Sequence, residues 1–183
     1  MNGKQIIEAL EAVGRLLEER GDKAIVRLFI AGGVAGLLGE LLRGSRTTGD
    51  CDVMATIPEE AWRAVEDAAR QVATDLGLPS EWLNKRASSF AWTLPLEWEG
   101  RCVPVGRFGP LDVRRVCRRD LIACKVVAAP KRPQDLEDLN DMAPTAEELD
   151  FVEAHLHRLE SESLDRERYD DRRAILDTLR GAT

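Results

Sequence analysis

The chain has no long apolar run: nothing in its 183 residues approaches the roughly 18 consecutive apolar positions that a membrane span requires. It has no Cys-x-x-Cys pair, no internal repeat and no low-complexity tract. Cys51, Cys102, Cys117 and Cys124 are scattered, which argues against a structural zinc site and for reduced, mostly buried thiols. Only two histidines occur, His155 and His157, two apart on different faces of an acidic helix. That is poor metal-ligating geometry, and both are expected at the surface. Residues 1–8 form a charged amphipathic start without the basic-then-apolar pattern of a signal peptide. No membrane association is expected, and the expected location is cytoplasmic.

A hydrophobic content of 44% is ample for a core, and 32% charged residues suits a water-exposed surface. The length suggests one principal domain, residues 1–143, with a helical C-terminal extension over 144–183 packed on it. Charge is uneven. Residues 85–132 hold eleven Lys/Arg against four Asp/Glu, a local +7, so with −7 overall the remainder carries −14. Such a segment either receives a polyanion or covers a solvated sheet face. Trp82, Trp92 and Trp98 lie in or beside it and could stack on bases or fill a core.

Periodicity orders the elements. Ile6, Ile7, Leu10, Val13, Leu16 and Leu17 repeat at helical spacing over 4–20, and Gly21 is a stop. Residues 24–31 read as a buried strand, Val34–Leu42 as a short helix ending near Gly44, and 50–57 as a second strand. Pro58 opens a helix whose stripe of Ala61, Trp62, Val65, Ala69, Val72 and Leu76 faces inward, closed by Gly77. Residues 78–93 suggest a loop with short helical pieces. Extended runs follow near 94–98, 101–107 and 111–117, with Phe108-Gly109-Pro110 as a turn. Helices are expected over 121–129, over Gln134–Met142, from the Thr145/Glu148 capping box to about 160, and over 166–180. Strands mixed with helices and then helices alone imply an α/β (α+β) fold, a small mixed sheet flanked by helices.

Residues 28–54 carry the chemistry. An apolar strand ends at Gly32-Gly33, a turn that lets backbone amides approach phosphate oxygens. After the following helix, Asp50 and Asp52 lie one residue apart on an extended segment and so point to one face. Two adjacent carboxylates are costly unless a cation joins them, and a hard divalent ion is the usual solution. The competing reading is a turn aspartate beside a surface aspartate.

Gly32-Gly33 followed by Asp50-Cys51-Asp52-Val53 resembles the nucleotidyltransferase superfamily, whose pattern is a Gly-Gly or Gly-Ser turn, a helix, and Asp-x-Asp on the next strand. Arg46-Thr47-Thr48-Gly49-Asp50 is similar to the Arg-x-Thr-x-Asp-x-Asp variant of nucleotidyltransferase-like toxins from abortive-infection toxin–antitoxin pairs. Downstream, Arg119 to Lys125 and Arg132 to Leu139 resemble further segments of that group, so the likeness covers roughly residues 24–150.

The resemblance implies the nucleotidyltransferase fold and transfer of a nucleotide from a nucleoside triphosphate to a hydroxyl of RNA, protein or a small molecule. Mg2+ would be held by Asp50 and Asp52. Gly32, Gly33, Arg46, Thr47 and Lys125 would bind nucleotide, and a protein partner such as an antitoxin is implied. Active members carry a third carboxylate on a later strand. Asp112 is the preferred candidate and Glu97 the alternative, although Arg114 on the same face could simply pair with Asp112. Asp135 and Asp138, three apart on one helix face, are expected to bridge to Arg132 or Lys125. Without a third carboxylate, the alternative is a catalytically reduced domain that binds protein or nucleic acid.

Overall fold

The computed structural model describes residues 1–163 and 169–181. Helix α1 (Gly3–Glu19) is opened by a capping box in which Asn2 and Gln5 each satisfy the other's backbone amide. Its stripe of Ile6, Leu10, Val13 and Leu17 is buried. Strand β1 (Val26–Ile30) leads into α2 (Gly32–Leu38), and β2 (Cys51–Ile57) into a 3₁₀ turn and α3 (Trp62–Leu76). Gly77, at φ +64°, closes α3. Then come β3 (Leu83–Asn84), a 3₁₀ segment (Arg86–Thr93), α4 (Trp98–Arg101), β4 (Val103–Phe108) and β5 (Leu111–Arg115). Helices α5 (Arg118–Ala128), α6 (Pro133–Met142), α7 (Ala146–Glu162) and α8 (Asp170–Gly181) complete the described chain.

The strands form one mixed sheet in the order β3-β2-β1-β5-β4. β1 runs antiparallel to β2 and parallel to β5, β2 is parallel to β3, and β4 is antiparallel to β5. Both faces of the central strands are covered, which is why β1 reads as a nearly continuous apolar run. Leu28 and Ile30 join Val53, Val113 and the buried stripes of α1 and α3 on one side. Phe29 and Met54 join Val116 and the apolar faces of α5, α7 and α8 on the other. The mixed sheet flanked by helices is therefore present, and α7 and α8 share their apolar cluster with the sheet. No helix among the described residues is long and apolar enough to cross a membrane.

Several expectations are corrected. Gly32-Gly33 is not a separate turn: it is the first turn of α2, which ends at Leu38 rather than 42. The run 94–98 is not a strand, because the chain passes from the 3₁₀ segment into α4. His155 is a buried residue of α7, its Nε2–H donating to the Thr93 carbonyl at 2.9 Å, because it shares the inward stripe with Val152, Leu156 and Leu159. Of the two readings of the tryptophans, the core one holds for Trp82 and Trp98, which lie on opposite faces of the sheet, while Trp92 is exposed. The last helix begins at Asp170, and residues 166–168 of the expected helix lie outside the described residues.

Candidate functional site

Sheet register brings the two glycines and the two aspartates to one place. Ala31, the residue after β1, donates its amide to the Asp52 carbonyl at 3.1 Å, so the start of α2 lies beside the start of β2. Gly32 has φ +68°, a conformation that favours glycine. A Cβ there would stand 3.0 Å from Asp52 Oδ2. A Cβ on Gly33 would stand 3.6 Å from both Arg46 Nη2 and Thr48 Oγ1. The loop before β2 is pinned by Thr48, whose hydroxyl donates to the Asp50 carbonyl at 3.0 Å and whose amide donates to the Met1 carbonyl at 2.9 Å. Thr47 is exposed and contributes its carbonyl oxygen as an acceptor for Arg46 Nη1.

Arg46 ties this loop to the C-terminal half of the chain. Its Nε donates to Asp138 Oδ1 at 3.0 Å. Lys125, only 2% exposed, donates to Asp135 Oδ1 and to Asp138 Oδ2, both at 2.7 Å. Arg132, which precedes α6, pairs with Asp135 Oδ2 at 3.3 Å. A lysine on the apolar face of α5 thus survives burial because two carboxylates from the next helix meet it. Burial alone would raise the Asp138 pKa, but hydrogen bonds from Arg46 and Lys125 outweigh it and hold this carboxyl below its ordinary range.

Asp52 behaves in the opposite way. Burial, then the charge of Asp50, pushes its pKa up to about 6, opposed by the guanidinium charges of Arg132 and Arg86. Asp50 and Asp52 together offer hard carboxylate oxygens of the kind a divalent ion prefers. Among the described residues no three His, Cys, Asp or Glu side chains gather as a metal site. Magnesium does not need three: it is commonly held by one or two carboxylates together with substrate phosphates and water. With the Gly32 Cβ absent from the side of Asp52 Oδ2, the residues present fit that mode.

Asp112 is not brought to this cluster. On β5 it pairs across β1 with Arg27, and its carboxylate takes Arg27 Nε at 2.9 Å and Arg114 Nε at 3.3 Å. Asp52 instead lies level with Ala31, so Asp112 is displaced by about four rungs, on the order of 13 Å along the sheet. At the level of Asp52, the β5 side of the sheet presents Val116, wholly buried and hydrogen-bonded through its amide to the Ile30 carbonyl. Glu97 lies in the connection leading to α4, at φ +59°.

Sequence reasoning singled out Arg46, Thr47 and Lys125 but missed the contact of Thr48 with Gly33 and the approach of Arg86. Arg86 carries no motif. Asn84 of β3 is level with Asp52 of β2, and its side chain accepts the Arg86 amide at 2.9 Å, which keeps the Arg86 charge within electrostatic reach of Asp52. The basic middle is not a free positive patch. At least seven of its eleven cations, including Lys85, Arg101, Arg114 and Arg118, are held in ion pairs. A cleft of about 600 Å³ lies at the far end of the 3₁₀ segment, between Trp92, Leu96 and Trp98 and the α7–α8 side; Glu97 lines it, and Asp50, Asp52, Asp112, Arg46 and Lys125 do not. No protein-family profile, curated protein or solved structure matches the chain.

Proposed function

We propose that the protein is a nucleotidyltransferase-like protein of the nucleotidyltransferase fold that binds a magnesium–nucleoside triphosphate at Asp50 and Asp52. The observation that carries this reading is the meeting of two motif segments far apart in sequence. The Gly32–Asp52 unit and the Lys125–Asp138 unit are joined by Arg46, which lies against Gly33 and pairs with Asp138. Magnesium, when bound by the two aspartates, would offset the negative charge of the phosphates. Gly32 puts no side chain against Asp52 Oδ2, Arg46 fixes the loop that carries the aspartates, and Lys125 holds Asp135 and Asp138 in place for Arg132 and Arg46.

In the proposed transfer, an acceptor hydroxyl oxygen forms a bond to the α-phosphorus and releases its proton to water. The bond from that phosphorus to the bridging oxygen breaks, and pyrophosphate leaves with the electron pair. The acceptor is a hydroxyl of RNA, of a protein or of a small molecule. By the resemblance, the biological setting is a toxin–antitoxin pair with a partner protein. The test is incubation of the purified chain with magnesium, α-phosphate-labelled nucleoside triphosphates and candidate acceptors, alongside Asp50→Asn/Asp52→Asn. Label transferred by the wild type and not by the variant is expected; no transfer to any acceptor would sink the transferase reading.

One observation favours a second reading, a catalytically reduced domain that binds nucleotide without transferring it. The strand position where a third carboxylate would complete the site holds Val116, and Asp112 is engaged elsewhere by Arg27 and Arg114. Metal-dependent nucleotide binding without label transfer is the outcome that selects this reading.

A further inference from the structure

One rung of the sheet crosses four strands. Ile57 of β2, Arg27 of β1, Asp112 of β5 and Arg107 of β4 are register partners in turn. Register partners point to one face of a sheet, and two residues along each strand the same face carries Phe29 and Arg114, partners in their own right. Trp98 of α4 closes over Phe29, with ring centroids 5.5 Å apart. The neighbouring rung is open: Ile57 is 45% exposed, the Arg27 side chain 42%, and Arg107 is exposed as well.

On this face three guanidiniums share one carboxylate. Arg27 Nε and Arg114 Nε both donate to Asp112 Oδ2, at 2.9 and 3.3 Å. Arg107, directly across the ladder from Asp112, gives its Nε to the Gly109 carbonyl at 3.4 Å and makes no ion pair among the described residues. Because Arg27 and Arg114 are engaged through Nε, their terminal amines make no hydrogen bond among the described residues and can take a second carboxylate. Ion pairing therefore does not neutralise the patch. It carries +2, and since the whole chain carries −7, the rest carries −9. Three like charges around one counter-charge repel one another, and an incoming anion relieves that repulsion.

The charge count and the side chains select the kind of anion. A nucleic-acid strand carries a charge about every 3.4 Å, so it would run off a +2 patch onto an acidic surface. The rung also presents no aromatic ring on which a base would stack. A short acidic stretch of polypeptide fits both facts. Two carboxylates match the charge, and Ile57, beside Arg27 on the next strand, meets an apolar side chain. Arginine next to apolar surface is the composition of protein–protein contacts.

We propose that Ile57, Arg27, Arg107 and Arg114 form a docking surface for an acidic segment of a partner protein, one that presents two carboxylates beside an apolar side chain. Asp112 orients two of the guanidiniums and leaves their outer donors to the partner. The surface is separate from Asp50 and Asp52, because Asp112 stands about four rungs from the level of Asp52, and it does not depend on the nucleotide reading.

The test uses the isotopically labelled full chain and follows its amide and arginine Nε–H resonances by nuclear magnetic resonance. The probes are a capped peptide of alternating leucine and glutamate, the same peptide with glutamine for glutamate, and a uridine oligonucleotide. The chains are wild type, R27Q, R107Q and D50N/D52N. The glutamate peptide is expected to shift the resonances of Arg27, Arg107, Arg114 and Ile57, and R27Q and R107Q each to weaken it about tenfold. D50N/D52N is expected to bind it as wild type does. R107Q removes no ion pair of the fold, so its result stands even if R27Q is poorly folded. Equal binding of the glutamine peptide, no shift with the glutamate peptide, or undiminished binding by R107Q would each overturn the proposal. Tighter binding of the oligonucleotide than of the peptide would overturn it in favour of nucleic acid. The same shifts on concentrating the chain alone would overturn it in favour of a second copy.

Discussion

A Cβ at residue 32 would stand 3.0 Å from Asp52 Oδ2, so any side chain at this position would crowd that carboxylate oxygen. The position also has φ +68°, which an L side chain adopts at a cost of roughly 1–2 kcal/mol. Gly32→Ala is expected to lower unfolding stability by about that amount and to weaken Mn2+ binding. Chemical denaturation and Mn2+ titration together check this, and unchanged metal affinity would contradict it.

Lys125 is the strut of the cluster. Replacing it with alanine leaves Asp135 and Asp138 buried without the ammonium that satisfies them, a loss of about 3–5 kcal/mol. Lys125→Met combined with Asp135→Asn and Asp138→Asn should recover much of that loss, since the uncompensated charge is removed as well. Urea denaturation of the two variants decides the point: equal stability would show that the penalty is not electrostatic.

Helix α1 touches the β4–β5 turn backbone to backbone. A Cβ on Gly14 would lie 2.1 Å from the Phe108 carbonyl oxygen, and one on Gly109, at φ +54°, 2.9 Å from the Gly14 carbonyl oxygen. Gly14→Ala should destabilise the protein by about 1–3 kcal/mol, although alanine is the better helix former. A thermal melt at or above the wild-type midpoint would refute this close contact.

His155 predicts an acid-side loss of stability. Burial lowers its pKa, with the charge of Arg158 adding to the effect and the hydrogen bond to Thr93 opposing it. The unfolded chain takes up a proton near the ordinary imidazole pKa, about 6.5, that the folded chain refuses. The contribution is therefore complete above that pH and is lost as the pH falls through the depressed folded value. His155→Gln should flatten the slope of unfolding free energy between about pH 7 and pH 5.

Much of the fold was legible because local chemistry and final structure agree. The spacing of Ile6, Leu10, Val13 and Leu17 placed the buried stripe of α1, and the Thr145/Glu148 capping box marked the start of α7. The failures share a cause. His155 and the three tryptophans differ in burial because of what packs over them, which composition does not encode. Residues 94–98 looked extended, but chain turning between Leu94 and α4 won over the alternation of apolar positions.

By itself the sequence determined most of the elements and the placing of Asp50 and Asp52 two apart on one segment, because helix and strand periods are local properties. Only the tertiary structure decided which residues meet there. Alternation along a strand selects a face but not a rung, so Asp112 has a plausible pattern and still falls several rungs away, beside Arg27. The packing of α5 against α6 encloses Lys125 between Asp135 and Asp138, and the register of β3 on β2 sets Asn84 level with Asp52. Those relationships arise from burial and strand register between distant segments.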